Sequence, residues 1–430
     1  MSRVFTTITA EEFDAFAEKS PISHFQQHST WANLKTTNGW IPYYIGVKEG
    51  TELIAASLVL KKPLPLKRSM LYAPRGPLLD YNNKSLLTFF FDNLKKFAKS
   101  HHAIFFKFDP EIINIERDGE GAPIKGGEDN QKIIENLKKL GIKHRGFRLN
   151  NNIAPQYTVT LNLKDKTEKE LFDGMKITNR TCIRNNQKNH VTVRKITYDE
   201  LPKFSKIMAH TAERRGFIDR PLSYYQQMWK ALGDQMEIYI SEVDLNQYLS
   251  VLNDELASLN TQKAKLTDAS KTTSHQEKQI QTINKSIAEI EAHIQKTKST
   301  LKKADKNGIL TLGGLMFMYT NREVTSLYGG NYGDYREFNS AYSLNWEMIK
   351  QSLKKGYPKY NFYGISEFKD KSNPDYGVYA FKKRFGGQLE EYIGEFDLVV
   401  SKFWYFLYHN IYELPRIIRR EKNEKAAYKK

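Results

Sequence analysis

Three groups of residues in this sequence have the charge and shape to act on an anionic substrate. The first lies in the stretch from Leu171 to His190. Lys176, Arg180, Arg184 and Lys188 recur every four residues, so on a helix they share one slowly drifting basic face. Asn179, Asn185, Asn186 and Gln187 add uncharged donors, and no acid falls between Asp173 and Asp199. A charge run is ordinarily a solvated face; one without local counter-charge also suits a phosphate backbone such as RNA. The second group is AERRGFIDRPLSYYQQMW, where Arg214, Arg215 and Arg220 stand beside Tyr224 and Tyr225. Arginine offers a planar fork for phosphate oxygens, and tyrosine adds a donor. Arg220 and Tyr224 are one turn apart if that stretch is helical. The third is Lys35, between Trp31 and Trp40 in TWANLKTTNGW, where a lone lysine is ordinarily surface filler.

Two further stretches set single ionisable groups at the ends of elements. FKFDP places Asp109 after an apolar strand and before Pro110. Ligands of open α/β sheets lie beyond strand C-termini, so Asp109 reads either as a general base or as a turn-forming aspartate. In YGVYAFKKRFGGQLEEYIGEFDLV, Phe381 and Lys382 close an aromatic run before Gly386 and Gly387. A lysine there could neutralise a developing oxyanion. Cys182 lies in the electropositive stretch NRTCIRNNQK, which would lower a thiol pKa, but no His/Asn context marks it as a nucleophile and a bystander is expected. His101 and His102 come without an HExxH pattern or facing carboxylates, so no metal site is expected. The sequence has no G-x-S-x-G elbow, no G-x-G-x-x-G after a strand and no P-loop, which leaves hydrolase, dinucleotide and P-loop chemistry unsupported.

The elements that must position these groups come from a chain of 430 residues, enough for two to three domains. Apolar residues are 40% of it, so it can bury a large core and is not a disordered chain. Lys plus Arg exceed Asp plus Glu by 66 to 49, a formal net charge of +17, which favours nucleic acid, phosphates or an acidic membrane surface as partners. One cysteine excludes an intrachain disulfide and suits a reducing compartment. The N-terminus has no signal-peptide core, and no run of about 18 apolar residues occurs, so a cytoplasmic protein is expected.

From Val243 to Asn307 there is no Trp, Phe, Pro or Gly. Leu245, Leu249, Leu252, Leu256, Leu259 and Leu266 step by fours and threes with Lys263 filling one slot, and after a polar break (Asp268 to Ser274) Ile280, Ile283, Ile287, Ile290, Ile294 and Leu301 resume the rhythm with Thr297 filling one slot. This is an a/d seam, and the break halfway predicts an antiparallel coiled-coil hairpin. Outside it, the order strand, strand, helix, strand occurs twice. LIAASLVL, SMLYA, Ser85 to Ser100 and AIFFKFD correspond to ILTLGGLMFMY, TSLYGG, Ser340 to Lys355 and YNFYGI. The reading is a duplicated α/β (α+β) unit of acetyltransferase type, with the arm inserted in the second copy. The expected domains are 1–152, then 153–242 with 308–398, then the arm 243–307, and a C-terminal helix and basic tail, 399–430.

Taken together these stretches resemble the FemABX family of non-ribosomal peptidyl transferases, most closely the FemX-type lipid II glycyltransferases. The likeness runs nearly end to end: the Trp31-to-Trp40 segment, APRGP (73–77), FDP (108–110), the basic helix, ERRGF…R…SYY, the inserted arm, SLYGGNYGDYREFNSAYSLNWEMI, YNFYGI and YAFKKRFGG…IGEFD. The resemblance implies two acetyltransferase-like (GNAT-like) domains with a helical arm. It implies a reaction in which aminoacyl-tRNA, a co-substrate with no cofactor beside it, donates glycine, alanine or serine. The acceptor would be the diamino-acid side chain of a lipid II or UDP-linked peptidoglycan precursor, in interpeptide bridge synthesis. Residue by residue, Lys35, Arg220 and Tyr224 match positions holding the precursor's diphosphate and sugar, with Arg214 or Arg215 as substitutes for Arg220. Tyr328 would line the same cleft. Asp109 matches an acid near the acceptor amine, and Phe381 and Lys382 match a pair at the reacting ester. Lys176, Arg180, Arg184 and Lys188 would then face tRNA, and other Fem-type transferases would be further partners.

Two rivals stand beside that reading. An acetyl-CoA-dependent N-acetyltransferase would need a [QR]-x-x-G-x-[GA] pyrophosphate loop, which neither LYGGNYGD nor KRFGGQLE supplies. A non-catalytic RNA-binding scaffold explains the charge but leaves Asp109 and Lys382 unused. KKPLPLKR (61–68) and the aromatic, basic C-terminus are candidates for peripheral contact with an anionic membrane; the alternative packs Trp404, Phe406 and Leu407 on the first domain.

Overall fold

The computed structural model describes residues 2–147, 153–267, 273–413 and 415. The break between the arm helices (268–272), the expected boundary at 152 and the basic tail beyond Pro415 lie outside the described residues. In chain order the strands are β1 (Arg3–Thr7), β2 (Ile41–Glu49), β3 (Glu52–Leu64), β4 (Arg68–Ala73), β5 (Ala103–Phe108), β6 (Ile113–Glu116), β7 (Lys143–His144) and β8 (Tyr157–Asn162). There follow β9 (Val191–Lys195), β10 (Met236–Asp244), β11 (Ile309–Tyr319), β12 (Val324–Asn331), β13 (Lys359–Gly364), β14 (Gln388–Tyr392) and β15 (Phe396–Val399).

They form two sheets. The first runs β1-β2-β3-β4-β5-β15-β7; the second, read from the opposite edge, runs β9-β10-β11-β12-β13-β8-β14-β6. The duplication is visible strand by strand. β3–β4 and β11–β12 are antiparallel, whereas β4–β5 and β12–β13 are parallel. A parallel pair needs a helical crossover, and each has one: helix Lys84–Ser100 and helix Ser340–Lys354. Helix Lys84–Ser100 buries Leu86, Leu87, Phe90, Phe91, Leu94 and Ala98 on the first sheet and is capped by Asn83, which accepts from the Leu86 amide. Their i, i+1, i+4 spacing is that of a single helical stripe.

The sheets do not divide at the expected boundary. β15 follows β14 yet lies between β5 and β7. β6 crosses the other way, pairing with β14 at the edge of the second sheet, so each half gives one strand to the other. The physical reason is edge satisfaction: without the exchanged strands the first sheet would leave β5, and the second β14, with a row of unpaired backbone groups. A shared core joins the halves as well. Phe13, Phe25, Trp31 and Leu34 of the first half pack in one cluster with Phe204, Ile207, Tyr225 and Met228 of the second.

The arm is a β-hairpin connection grown long. β10 and β11 are antiparallel neighbours, with Asp244 opposite Ile309, and the Leu245 amide bonds the Gly308 carbonyl at 3.0 Å. Helices Leu245–Thr267 and Ser274–Leu301 leave the sheet from there. Leu252, Ile290 and Ile294 are buried near the root, where Tyr248 meets Phe338 edge-on at 5.0 Å. The second helix starts on a capping box between Thr273 and Gln276. At the other end of the chain, helix Lys402–Leu407 buries Tyr405 but leaves Phe406 exposed. Phe406 is thus not packed on the first domain, whereas Trp404 is half-buried against it.

Phe396 of β15 is fully buried, stacked 5.2 Å from Phe108 and 4.9 Å from His144. Phe396→Ala is expected to cost about 3–5 kcal/mol, measured as a lowered urea midpoint. A loss under about 1 kcal/mol would show that the first sheet does not depend on the exchanged strand.

Candidate active site between the two sheets

The alternation along β5 places Lys107 and Asp109 on one side and Phe106 and Phe108 in the core of the first sheet. Asp109, just past the strand, is 3% exposed. Its Oδ1 accepts from the Arg75 amide at 2.9 Å and its Oδ2 from the Tyr72 hydroxyl at 3.2 Å. Burial pushes its carboxyl up to about 7; Arg75 opposes that rise and Glu395 adds to it. Arg75 is itself buried. Its guanidinium lies 3.1 Å from Glu111, donates to the Pro155 carbonyl at 2.8 Å and stacks 4.6 Å from the Tyr392 ring. Arg75 thus ties the loop after β4 to the second half of the chain.

Opposite this corner the second sheet opens. β12 and β13 share register only at Val324–Tyr360 and Thr325–Asn361, then diverge, whereas β4 and β5 stay paired to Ala73–Phe108. β13 shifts register against β8 between Asn361 and Gly364, and within that bulge Tyr363 has φ 64°. A left-handed non-glycine residue in a bulge is a strained arrangement typical of sites that re-aim a group. Gly364 lies so close to Pro155 that a Cβ would stand 2.5 Å from its Cγ. The carbonyls of Tyr363 and Gly364, freed by the divergence, accept from Lys382 Nζ at 3.1 and 2.7 Å. Burial lowers the Lys382 ammonium to about 7. Tyr363 links the two sides: burial raises its phenol, and Arg75, Tyr328, Glu111 and Asp109 all act on it. Phe381 turns elsewhere, packing on Tyr342 at 5.0 Å and Phe385 at 5.3 Å.

A cationic cluster adjoins this cleft. Lys35, on helix Ser29–Thr36, holds its Nζ 4.4 Å from the Trp31 ring. Burial, then Arg220, lowers its pKa to about 8. Arg220 sits 5.2 Å from the Tyr224 ring; it precedes helix Leu222–Leu232 rather than lying on it. Burial raises the Tyr328 phenol, and Arg220 opposes the rise. Lys35, Arg220, Tyr224 and Tyr328 are therefore brought together. Arg214 is not among them, for it bonds the Asn331 side chain at 2.9 Å.

The basic residues of helix Ile177–Lys188 have more counter-charge than the local sequence suggests. Arg180 lies 3.8 Å from Asp173, and Lys188 pairs at 3.2 Å with Glu255 of the arm. Arg184 stacks 5.2 Å from the Phe172 ring, and Lys176, at the N-cap, is exposed. Cys182 is half-buried and its thiol is raised by burial, the opposite of activation. His24, Glu111 and Glu323 hold potential ligand atoms within 4.8 Å of one another. Those carboxylates already face Arg75 at 3.1 Å and Lys359 at 2.8 Å, so the cluster reads as a buried ion network across the halves. Arg75 and Tyr363 are the site residues that sequence reasoning did not single out. Both lie inside quoted motifs, APRGP and YNFYGI, but neither spacing nor charge pattern marks them.

The chain matches a profile of the FemAB family over residues 8–413. It is 31% identical over 411 residues to the aminoacyltransferase FemA of Staphylococcus aureus strains RF122 and N315, covering 94% of this chain and 97% of each relative. A crystal structure of FemX superposes with a TM-score of 0.74 at 29% identity, covering 95% of this chain and 99% of that one.

Asp109 and Lys382 give the folded chain opposite responses to pH. The folded Asp109 pKa, about 7, lies above its ordinary 3.8, so its stabilising contribution is full at low pH and is lost as pH rises from about 4 to 7. The folded Lys382 pKa lies below its ordinary 10.5, so stability from that group rises between about pH 7 and 10. Each slope is at most about 1.4 kcal/mol per pH unit. Urea unfolding across pH should show Asp109→Asn flattening the first interval and Lys382→Met the second. A variant profile parallel to the wild type's in its interval would contradict the assignment.

Proposed function

The chain belongs to the FemAB family and is an aminoacyltransferase; from that premise we propose that it adds an amino acid from aminoacyl-tRNA to a peptidoglycan precursor. Glycine is the proposed residue, with alanine or serine as alternatives. The acceptor is the side-chain amine of the diamino acid in the stem peptide, with lipid II preferred over the UDP-linked muropeptide. The observation that carries the reading is Lys382, held by the Tyr363 and Gly364 carbonyls on the second sheet, with the buried Asp109 at the end of β5 on the first and the Lys35, Arg220, Tyr224 and Tyr328 cluster beside them.

In this reading Lys35 and Arg220 hold the precursor's diphosphate, and Tyr224 and Tyr328 line the sugar beside it. The stem-peptide amine approaches Asp109 and must be neutral to attack. A carboxylate that titrates near 7 is matched to taking its proton. A C–N bond forms to the ester carbonyl, and the C–O bond to the tRNA ribose breaks. The ribose oxygen leaves with a proton, and the negative charge gathering on the carbonyl oxygen between those events is met by Lys382. Phe381, beside Lys382 on the same helix, supports it from behind through ring contacts with Tyr342 and Phe385. The ester is already activated, so positioning supplies much of the rate, in keeping with a site built of buried, paired groups. Lys176, Arg180, Arg184 and Lys188 present one basic face to tRNA. Lys176 and Arg184 carry most of that contact, since Arg180 and Lys188 have acidic neighbours. Among the described residues no helix is long and apolar enough to cross a membrane; we place the protein in the cytoplasm, in peripheral contact with the inner membrane face and with other Fem-type transferases.

The test is a transfer assay. Purified protein is mixed with charged tRNA-Gly, tRNA-Ala or tRNA-Ser and with lipid II or UDP-linked pentapeptide, and mass spectrometry follows the acceptor. A gain of one residue mass names donor and acceptor together; no gain from folded protein that binds tRNA sinks the reading. Lys382→Met is expected to lower kcat about a hundredfold or more with tRNA binding intact, whereas a scaffold would lose nothing. Asp109→Asn should lower kcat by a similar factor if the carboxylate takes the proton. Lys176→Ala and Arg184→Ala should each weaken tRNA binding several-fold and reduce its salt dependence by about one counterion; unchanged salt slopes would remove this helix from the tRNA site.

A further inference from the structure

Several apolar side chains stand in water on one basic face. Leu66, at the tip of the β3–β4 turn, is 73% exposed with φ 58°, and Lys67 beside it has φ 54°. Glycine or asparagine would occupy such left-handed positions at lower cost, so folding does not account for a leucine there. The C-terminal helix Lys402–Leu407 is seated against the same hairpin. Arg68 lies 4.7 Å from the Trp404 ring, and the Tyr408 hydroxyl bonds Met70 Sδ at 3.6 Å. That seating turns Phe403 and Phe406 outward, 65% and 64% exposed. Two segments distant in sequence thus expose Leu66, Phe403 and Phe406 together, with Lys67, Arg68 and Lys402 among them. Beyond Pro415 the sequence adds seven basic and two acidic residues.

We propose that this face docks the protein on an anionic phospholipid bilayer. Apolar side chains on a basic ground are what headgroup binding requires: the rings and leucine enter the acyl boundary while the cations meet lipid phosphates. A second copy of the chain is a poorer occupant, since self-association would bring two such basic faces together in a protein of net charge +17. The face also borders the acceptor cluster. Lys62 of the hairpin donates to the Asn38 carbonyl at 2.8 Å and the Gly39 carbonyl at 3.4 Å, just past the helix that carries Lys35. A second apolar tip borders the cluster from the other chain segment: Ile218, 96% exposed, is two residues from Arg220. A precursor held by its diphosphate at Lys35 and Arg220 would keep its lipid tail beside the bilayer. This deepens, and in that last step rests on, the lipid-linked acceptor reading, but docking itself is testable with no acceptor present.

The experiment is flotation of the full chain with phosphatidylcholine vesicles, with and without phosphatidylglycerol. The expected result is binding to the anionic vesicles alone, weakened by salt, and reduced at least about tenfold by Leu66→Glu with Phe406→Glu. Leu66→Gly is the control against misfolding, because glycine suits the left-handed turn; it should melt no lower than wild type and still bind vesicles more weakly. Absence of flotation with anionic vesicles, binding unchanged in both variants, or a wild-type dimer that the same substitutions dissociate would overturn the proposal. Transfer to the UDP-linked acceptor only, with vesicle binding intact, would instead count against the lipid-linked acceptor and leave the docking face standing.

Discussion

Each sheet of this protein is completed by a strand that the other half supplies, and the chemistry of the site depends on that exchange. β15 brings Asp397, fully buried, to 3.1 Å from Lys107, with Glu395 at 3.2 Å on the same ammonium. Arg145, His409 and the Tyr405 hydroxyl also lie on Asp397. An unpaired charge at any of these positions would be costly, so the cluster holds only when the second half's last strand is in place. Glu395 also acts on Asp109, two residues beyond Lys107 on the same side of the strand. The proton affinity of the candidate base is therefore set partly by a residue of the opposite half.

The two copies of the repeat have diverged at one point that matters. In the first sheet the parallel pair β4–β5, past an irregularity between Ser69 and Leu71, stays paired to Ala73–Phe108; in the second, β12 and β13 part after two register pairs. Parting strands leave backbone carbonyls without ladder partners, and buried carbonyls need donors. Lys382 fills that need at Tyr363 and Gly364. Its ammonium is thus held at the mouth of the gap by backbone oxygens instead of by a carboxylate, with no ion pair to it among the described residues. The same lysine serves fold and reaction, and the copy whose strands stay closed has no counterpart opening to serve.

Much of this plan was legible in the sequence. The repeat LIAASLVL, SMLYA, AIFFKFD against ILTLGGLMFMY, TSLYGG, YNFYGI showed because long β-branched strands and an amphipathic crossover leave strong periodic signals. The arm showed because its leucines and isoleucines keep a heptad step. The exchange did not show: β7 has two residues and β15 four, and nothing in so short a run names its partner. The counter-ion Glu255 for Lys188 was invisible for a related reason, since it comes from the arm folding back beside the helix. Asp109 and Lys382 could be singled out by type and position, but the carbonyls that hold Lys382 are set by a bulge and a positive φ at Tyr363, which single-residue patterns do not encode.

The exchange also bears on how the chain is made. Domains ordinarily fold as units, the N-terminal one first as it leaves the ribosome. Here the first sheet lacks its interior strand until residues 396–399 have been synthesised, about 250 residues after β7. Until then β5 and β7 stand apart, Lys107 lacks both its carboxylates, and a nascent first half has an open edge that invites mispairing. Vectorial synthesis therefore cannot finish either half in turn. Both must close in one late, cooperative step, and a ribosome that stops short of β15 releases a protein with neither a whole first sheet nor a tuned Asp109.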